Sequence, residues 1–385
     1  MSNLKLIYIS HCRLTDKIAR DWFVDFCSEK GAVIEYWDIT GLVREEHEEA
    51  HSLDVKYLRF INTYNELTSL IRQPENKDAV YVMLITYSGK FSKPFRLLSK
   101  YNCKTVFINW GAMPTTAAVS RFSRVVRRLL SNPINFIAIV YDLVLSYGYR
   151  KLKLVNKFDI VFAAGSALTS VNQYAKKVIH FNLCDYDNYR TVNAIKNRLV
   201  QGKYAVFLDI NLPYQSDLVI CGLPAVTPSS YFNSLNRFFD LLEEAYGIKV
   251  VIASHPKAAY SNGEYNQREI HRLATAELVK DAELVITHTS TALSYAVLNH
   301  KPILFIYTSE MDDIYKNTVM QEIKGLASYL NGEMTNIDEV VKGNQINIQS
   351  PNQDRYELYK YTYLTSLESE NLSSAEIFHS NIDSL

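Results

Sequence analysis

Read residue by residue, the chain is expected to fold as α/β, with two Rossmann-like domains facing a central cleft. Short apolar runs alternate with amphipathic stretches from end to end, the signature of parallel strands covered by helices. The pattern breaks between Asp185 and Gly202 and then starts again. At 385 residues the chain has room for two or three domains of roughly 150 residues each. The expected organisation is a first domain over residues 1–195, a second over 196–348, and a C-terminal helix and tail over 349–385.

In the first half, Leu4–Ile9 (LKLIYI) reads as a buried strand. Asp16–Lys30 carries Ile18, Trp22, Phe23, Phe26 and Cys27 at helical spacing, and Gly31 stops it. Val33–Trp37 is the next strand, Tyr57–Leu70 a helix, Ala79–Ile85 a strand and Phe95–Lys100 a short helix. Thr105–Trp110 and Phe158–Ala163 complete the strands of this half. In the second half, Tyr204–Leu208 opens the new unit. Helix Ser230–Tyr246 follows, with Phe232, Leu235, Phe239 and Leu242 on one face. Then come strand Val250–Ala253, helix Thr275–Lys280, strand Glu283–Ile286, helix Ser290–Asn299 and strand Pro302–Ile306. The run YELYKYTYL near the end reads as a last helix.

Composition narrows the function. Lys plus Arg equals Asp plus Glu at 41 each, so the chain as a whole is neither a basic nucleic-acid binder nor an acidic tail. The cysteines, at positions 12, 27, 103, 184 and 221, are odd in number and widely spaced. They fit neither a disulfide framework nor a cysteine zinc site. The opening MSNLKLIYISHC lacks the organisation of a signal peptide. Leu129–Tyr141 is uncharged but interrupted by Asn132, Pro133 and Asn135, and falls short of the ~20 apolar residues of a membrane span. A cytoplasmic protein is expected.

Several familiar signatures are missing: there is no GxGxxG, no GxxxxGK[ST] and no GxSxG. His47-Glu48-Glu49-Ala50-His51 fits the H-E-x-x-H zinc pattern. Its neighbours Arg44, Glu45 and Glu46 extend a solvated charge run, so no metal site is expected there. Asp185 and Asp187 form a D-x-D pair of the kind that holds a divalent cation against a diphosphate. They lie at the interdomain break, where a linker or interface role is expected.

The informative region is 250–306. Ser254-His255-Pro256-Lys257 follows one strand and Thr287-His288-Thr289-Ser290-Thr291 follows another. Ligands of open parallel sheets bind outside the carboxyl ends of the strands. His255 and Lys257 are therefore expected to face a ligand, with Pro256 stiffening the turn. Hydroxyls at a helix start are ordinary caps, and a His before Pro often caps a loop carbonyl. Two such strand ends together make a phosphate cradle of cations, hydroxyls and backbone N–H groups.

IASHPKAAY, TAELVKDAELVITHTSTALSYAVLNHKPILFI, FLDINLPY, HFNLCDYDNY and IEYWDIT together resemble bacterial glycosyltransferases that build surface polysaccharides. The resemblance covers most of the chain and is strongest over 204–306. It implies a GT-B fold, with an acceptor-side first domain and a second domain that binds the nucleotide-sugar donor. The His-Pro and Ser/Thr motifs also resemble those of sialyl- and Kdo transferases. That implies a CMP-activated acidic sugar, such as a nonulosonate or Kdo, and phosphate contacts from His255, Pro256, Lys257, His288, Thr289, Ser290 and Thr291. The nucleotide sugar is substrate, and neither a cofactor nor a metal is implied.

A departing nucleotide phosphate develops negative charge. Each well-placed donor that stabilises such charge is worth roughly 2.7–4 kcal/mol. An inverting transfer also needs a general base, for which His11 and Asp209, each at the end of a domain's first strand, are the candidates. His11 has a plainer reading as the cap of a helix beginning near Leu14. The acidic base motif of the sialyltransferase pattern has no clear counterpart here. Between Ser120 and Phe158, Arg121, Arg124, Arg127, Arg128, Arg150, Lys151, Lys153 and Lys157 flank apolar stretches against Asp142 alone. Such a segment suits the anionic headgroups of the inner membrane's cytoplasmic face, and a lipid-linked glycan acceptor. The plainer reading is a solvated basic helix beside a buried one. Two rival functions share the fold: a non-hydrolysing nucleotide-sugar epimerase, and a catalytically silent nucleotide-sugar-binding partner of a glycan synthase. A transferase that uses Asp185 and Asp187 to hold a metal is a further alternative.

Overall fold

The computed structural model describes residues 4–43, 52–110, 114, 133–167, 169, 171–215, 218, 223–260 and 263–385. The first unit runs from the N-terminus to Cys184 and takes back Thr365–Leu385; the second is Asp185–Leu364. The domain break thus falls about a helix earlier than residue 195. The expected separate tail is divided, residues up to Leu364 packing with the second unit and the rest with the first.

The first unit holds β1 (Lys5–Ser10), β2 (Val33–Asp38), β3 (Leu58–Phe60), β4 (Val80–Met83), β5 (Lys104–Asn109), β6 (Phe158–Ala164) and β7 (Ala175–Phe181). They form one parallel sheet in the order β3-β2-β1-β4-β5-β6-β7. The second unit holds β8 (Tyr204–Leu208), β9 (Lys249–Ser254), β10 (Ile270–Arg272), β11 (Leu284–Thr287), β12 (Ile303–Tyr307) and β13 (Met334–Asn336). These form a second parallel sheet, β10-β9-β8-β11-β12-β13. Each order reverses beside the unit's first strand, between β1 and β4 and between β8 and β11. A ligand crevice opens at such a switch point, at the carboxyl ends of the strands.

The strands read as unbroken apolar runs because helices cover both faces of the sheet. In β1, Leu6 and Tyr8 belong to one core cluster and Ile7 and Ile9 to another, all four fully buried. The stretch Asp16–Lys30 is two short helices, Asp16–Asp21 and Val24–Glu29, because Phe23 takes a left-handed φ of 59°. That break turns the Phe23 ring onto Phe378, at 5.2 Å between centroids, and Trp110, at 6.0 Å. Tyr57–Leu70 divides likewise: Leu58–Phe60 is β3 and the helix begins at Tyr64. Edge strands β3, β10 and β13 are three residues each, too short to show a period.

The returning C-terminal segment is bound into the first unit. Asn182, after β7, donates from Nδ2 to the Leu372 carbonyl at 2.9 Å and accepts at Oδ1 from the Thr365 hydroxyl at 2.6 Å. Helix Ser374–Asp383 carries Phe378, fully buried, 5.0 Å from Phe162. Among the described residues no helix is long and apolar enough to cross a membrane. Truncating Phe378 to Ala is expected to destabilise the first unit by about 3–5 kcal/mol, the cost of an aromatic-sized cavity, measured by urea unfolding.

Candidate functional site

The register of the second sheet lines up four strand ends. Leu208 of β8 stands beside Ala253 of β9 and Thr287 of β11, and Arg272 of β10 stands beside Ser254. The residues that follow, Asp209, His255 and His288, emerge side by side at the switch point.

Asp209 is the hub. It is 5% exposed and its backbone N–H bonds to the Ala253 carbonyl. Its Oδ1 accepts from the Asn211 N–H at 2.9 Å and the Tyr265 hydroxyl at 3.1 Å. Its Oδ2 accepts from the His255 N–H at 3.1 Å and the Tyr260 hydroxyl at 2.7 Å. Asn211 adopts a left-handed φ of 53°, as the tight Asx-turn after Asp209 requires. Burial and the neighbouring carboxylate push the Tyr260 and Tyr265 hydroxyls well above the ordinary tyrosine pKa, so both stay protonated and donate. Sequence reasoning missed Tyr260, Tyr265 and Asn211. The proton-acceptor sites of Asp209 are already taken by these donors.

The His255 turn hangs from this hub. Its ring Nδ1 accepts from the Lys257 N–H at 3.1 Å, which leaves the proton of the neutral ring on Nε2. The Ala258 N–H closes the turn on the His255 carbonyl at 2.9 Å. The Arg272 guanidinium donates to the Pro256 carbonyl. Lys257 and Arg272 are exposed, and neither pairs with a carboxylate of a described residue. Arg272 was another residue that sequence reasoning missed.

The structure corrects the expectation for His288. The residue is fully buried. Its Nδ1 lies 2.7 Å from the Ile306 carbonyl, which only accepts, so Nδ1 carries the proton. Its Nε2 then accepts from the Tyr231 hydroxyl at 2.8 Å. Burial lowers its pKa to about 4, so it stays neutral. Strand alternation sends this side chain into the core, where it ties helix Pro228–Tyr246 to β12 rather than offering a ligand contact.

Thr289 and Ser290 are half-buried and Thr291 exposed, in the turn before helix Leu293–Leu298. That helix begins three residues later than expected. Ser290 Oγ accepts from the Ala292 N–H at 3.2 Å, and Ser294 Oγ donates to the Thr291 carbonyl at 2.9 Å. The hydroxyl run and the His255 turn thus follow β11 and β9, the two strands that flank β8.

His11 stands at the matching place in the first unit, after β1, its ring 5.9 Å from that of Phe91. It does not cap the next helix, since Thr15 does, accepting from the Ile18 N–H. Beside it Asp38, at the end of β2, accepts from the Thr40 N–H at 2.9 Å and pairs with Arg13 at 3.3 Å. Asp185 and Asp187 lie in the first turn of helix Cys184–Asn193, two positions apart and so on different faces. Asp185 accepts from the Tyr295 hydroxyl at 3.3 Å. The 47–51 motif, and Arg121, Arg124, Arg127 and Arg128, lie outside the described residues.

Two expectations follow. Replacing Asp209 with Asn strands at least two buried donors, at about 1–3 kcal/mol each, so roughly 2–6 kcal/mol of stability should be lost; Tyr260→Phe should cost about 1.5–3 kcal/mol. Urea midpoints of both variants test this ranking. For His288, the unfolded ring binds a proton near pH 6.5 while the folded ring resists until about 4. Stability should therefore fall as pH drops from 6.5 towards 4, by roughly 3 kcal/mol from this group. Denaturation across that window should show a shallower pH slope in His288→Gln than in the wild type.

No protein-family model matches the chain, and no curated protein sequence matches it. Solved structures do. The glycosyltransferase SnogD from Streptomyces nogalater is 9% identical over 100% of this chain and 99% of its own, with a TM-score of 0.51. CalG4, the calicheamicin glycosyltransferase, is 11% identical over 100% and 95%, at 0.47. A variant of the wall teichoic acid polymerase TagF is 11% identical over 99% and 88%, at 0.48. The two parallel α/β sheets and the full-length similarity to SnogD identify the fold as GT-B.

Proposed function

We propose that this chain is a GT-B glycosyltransferase that moves a sugar from a nucleotide donor to a growing surface polysaccharide or lipid-linked glycan at the cytoplasmic face of a membrane. One observation carries the reading: the His255-Pro256-Lys257 turn after β9 is held on the buried carboxylate that follows β8, and the Thr289–Thr291 hydroxyls follow β11 on the other side of β8. Cations, hydroxyls and backbone N–H groups at those strand ends suit an anion, at the place where an open sheet takes its ligand.

In this reading His255 Nε2–H, Lys257 and the hydroxyls of Ser290 and Thr291 receive the donor phosphate. They stabilise its charge as the glycosidic oxygen departs. A turn already fixed by Asp209 needs no reorganisation at that moment, so its dipoles act at full strength. The cations of the turn do the work of a metal, and the reaction is metal-independent. A CMP-linked acidic sugar is the donor that the His-Pro and Ser/Thr motifs favour. Of the two candidate bases, Asp209 is engaged by its donors and acts by positioning the turn. His11, at the switch point of the first unit, takes the acceptor proton.

A thermal-shift panel of CMP, CDP, UDP, GDP and their sugars tests the donor. A ligand at about 100 times its Kd adds roughly 2.7 kcal/mol of stability. CMP and a CMP-sugar should stabilise the wild type and not His255→Ala. Stabilisation by UDP or GDP alone would discard the CMP assignment, and no shift with any nucleotide would sink the donor site. His11→Ala should retain the CMP shift while losing at least about a hundredfold in transfer rate.

A further inference from the structure

The helix Pro133–Lys151 is turned inside out relative to a solvated surface helix. Its described contacts with the rest of the first unit are mostly polar, with Leu145 packed at Gly89. Asp142 Oδ1 accepts from the Lys90 N–H at 2.6 Å, and the Ser146 carbonyl accepts from the Tyr87 hydroxyl at 3.0 Å. The Arg150 guanidinium lies over the rings of Tyr87 at 4.1 Å and Tyr174 at 3.4 Å, and Arg96 covers Tyr149 at 4.6 Å. Gly89 lets the helix approach: a Cβ there would fall 2.5 Å from the Asp142 carbonyl oxygen.

The opposite side is apolar and bare. Ile137, Val140, Tyr141, Val144 and Tyr147 recur at the spacing of a single helical face. Their exposures are 65%, 39%, 64%, 63% and 62%. Leu143 beside them is 61% exposed. The stripe runs on into Leu152, 70% exposed, and Leu154, 44% exposed, interleaved with exposed Lys151, Lys153 and Lys157. None of these lysines pairs with a carboxylate of a described residue. A soluble helix hides its apolar side against the core. Here polar contacts hold the helix to the protein and the apolar side faces outward, bordered by unneutralised cations.

We propose that this face lies in the headgroup plane of an anionic lipid bilayer, with the apolar stripe at the acyl boundary and Lys151, Lys153 and Lys157 on the phosphates. The chemistry matches on both counts: an interfacial helix needs an exposed apolar stripe and a basic border, and each lysine near an anionic surface adds attraction. The helix lies on the membrane and does not cross it. The inference rests on the glycosyl-transfer reading only for the cargo, a lipid-linked acceptor held beside its enzyme.

Co-sedimentation of the full chain with vesicles, without nucleotide, tests it. Vesicles of phosphatidylcholine alone should bind weakly. Vesicles with added phosphatidylglycerol should bind tightly, and less so as salt rises. Val144→Glu with Tyr147→Glu should abolish binding, and Lys151→Gln or Lys153→Gln should each weaken it about fivefold. All of these positions are exposed, so thermal unfolding and the CMP shift should stay at wild-type values. Absence of binding to anionic vesicles overturns the proposal, as does binding that these substitutions leave unchanged. It is equally overturned if the face proves to be a dimer interface, seen as a dimer that Val144→Glu dissociates. Vesicle binding without sugar transfer would keep the surface and discard the enzyme reading; transfer to a soluble acceptor without vesicle binding would do the reverse.

Discussion

A carboxylate placed out of water must be surrounded by donors, and at Asp209 that requirement organises the second unit's strand ends. The ionised group is costly to bury unless its lone pairs are all engaged. Here they are engaged by the backbone after β8, the backbone after β9, and two tyrosines from the segment that leads to β10. Two connections, the one after β8 and the one between β9 and β10, are thereby held together. The His255 turn is consequently a fixed object. A smaller version recurs in the first unit, where Asp38 accepts from the backbone two residues on and pairs with Arg13.

The histidines after β9 and β11, the two strands that flank β8, show how position along a strand divides roles. His255 lies one residue beyond β9, its backbone tied to Asp209 and its ring to Lys257, at a half-buried edge. His288 lies one residue beyond β11 and points inward, neutral, between Tyr231 and Ile306. The first has the surroundings of a ligand group and the second those of a buried hydrogen-bond pin. The helix Pro133–Lys151 reverses the usual economy in another way. Its polar residues make hydrogen bonds to the rest of the first unit, while Ile137, Tyr141, Val144 and Tyr147 face solvent.

Much of the fold was legible because both faces of a parallel sheet are buried. LKLIYI, AVYVMLI and YAVFL stand out as apolar blocks between turn residues, and each is a central strand. The missed strands are those for which this reason fails. β7 lies at an edge with Lys176 and Lys177 exposed, and β3, β10 and β13 pair with one neighbour over three residues. The broken helix at Phe23 was hidden for a different reason. Its apolar spacing suits one continuous helix, and only the pocket formed by Trp110 and Phe378 makes a left-handed Phe worth its strain.

Sequence alone gave away most of the central strands, the restart of the α/β pattern in the second half, and the cations and hydroxyls that follow two of its strands. These are local matters, decided by apolar runs and by residue type next to a strand. It did not distinguish His288, which points inward, from the chemistry-bearing side chains that face outward. It was also silent on Asp209 being satisfied by Tyr265, which lies 56 residues further along the chain, and on the return of residues 365–385 to the first unit. Those outcomes depend on which distant donors a buried acceptor meets, and packing alone brings such groups together.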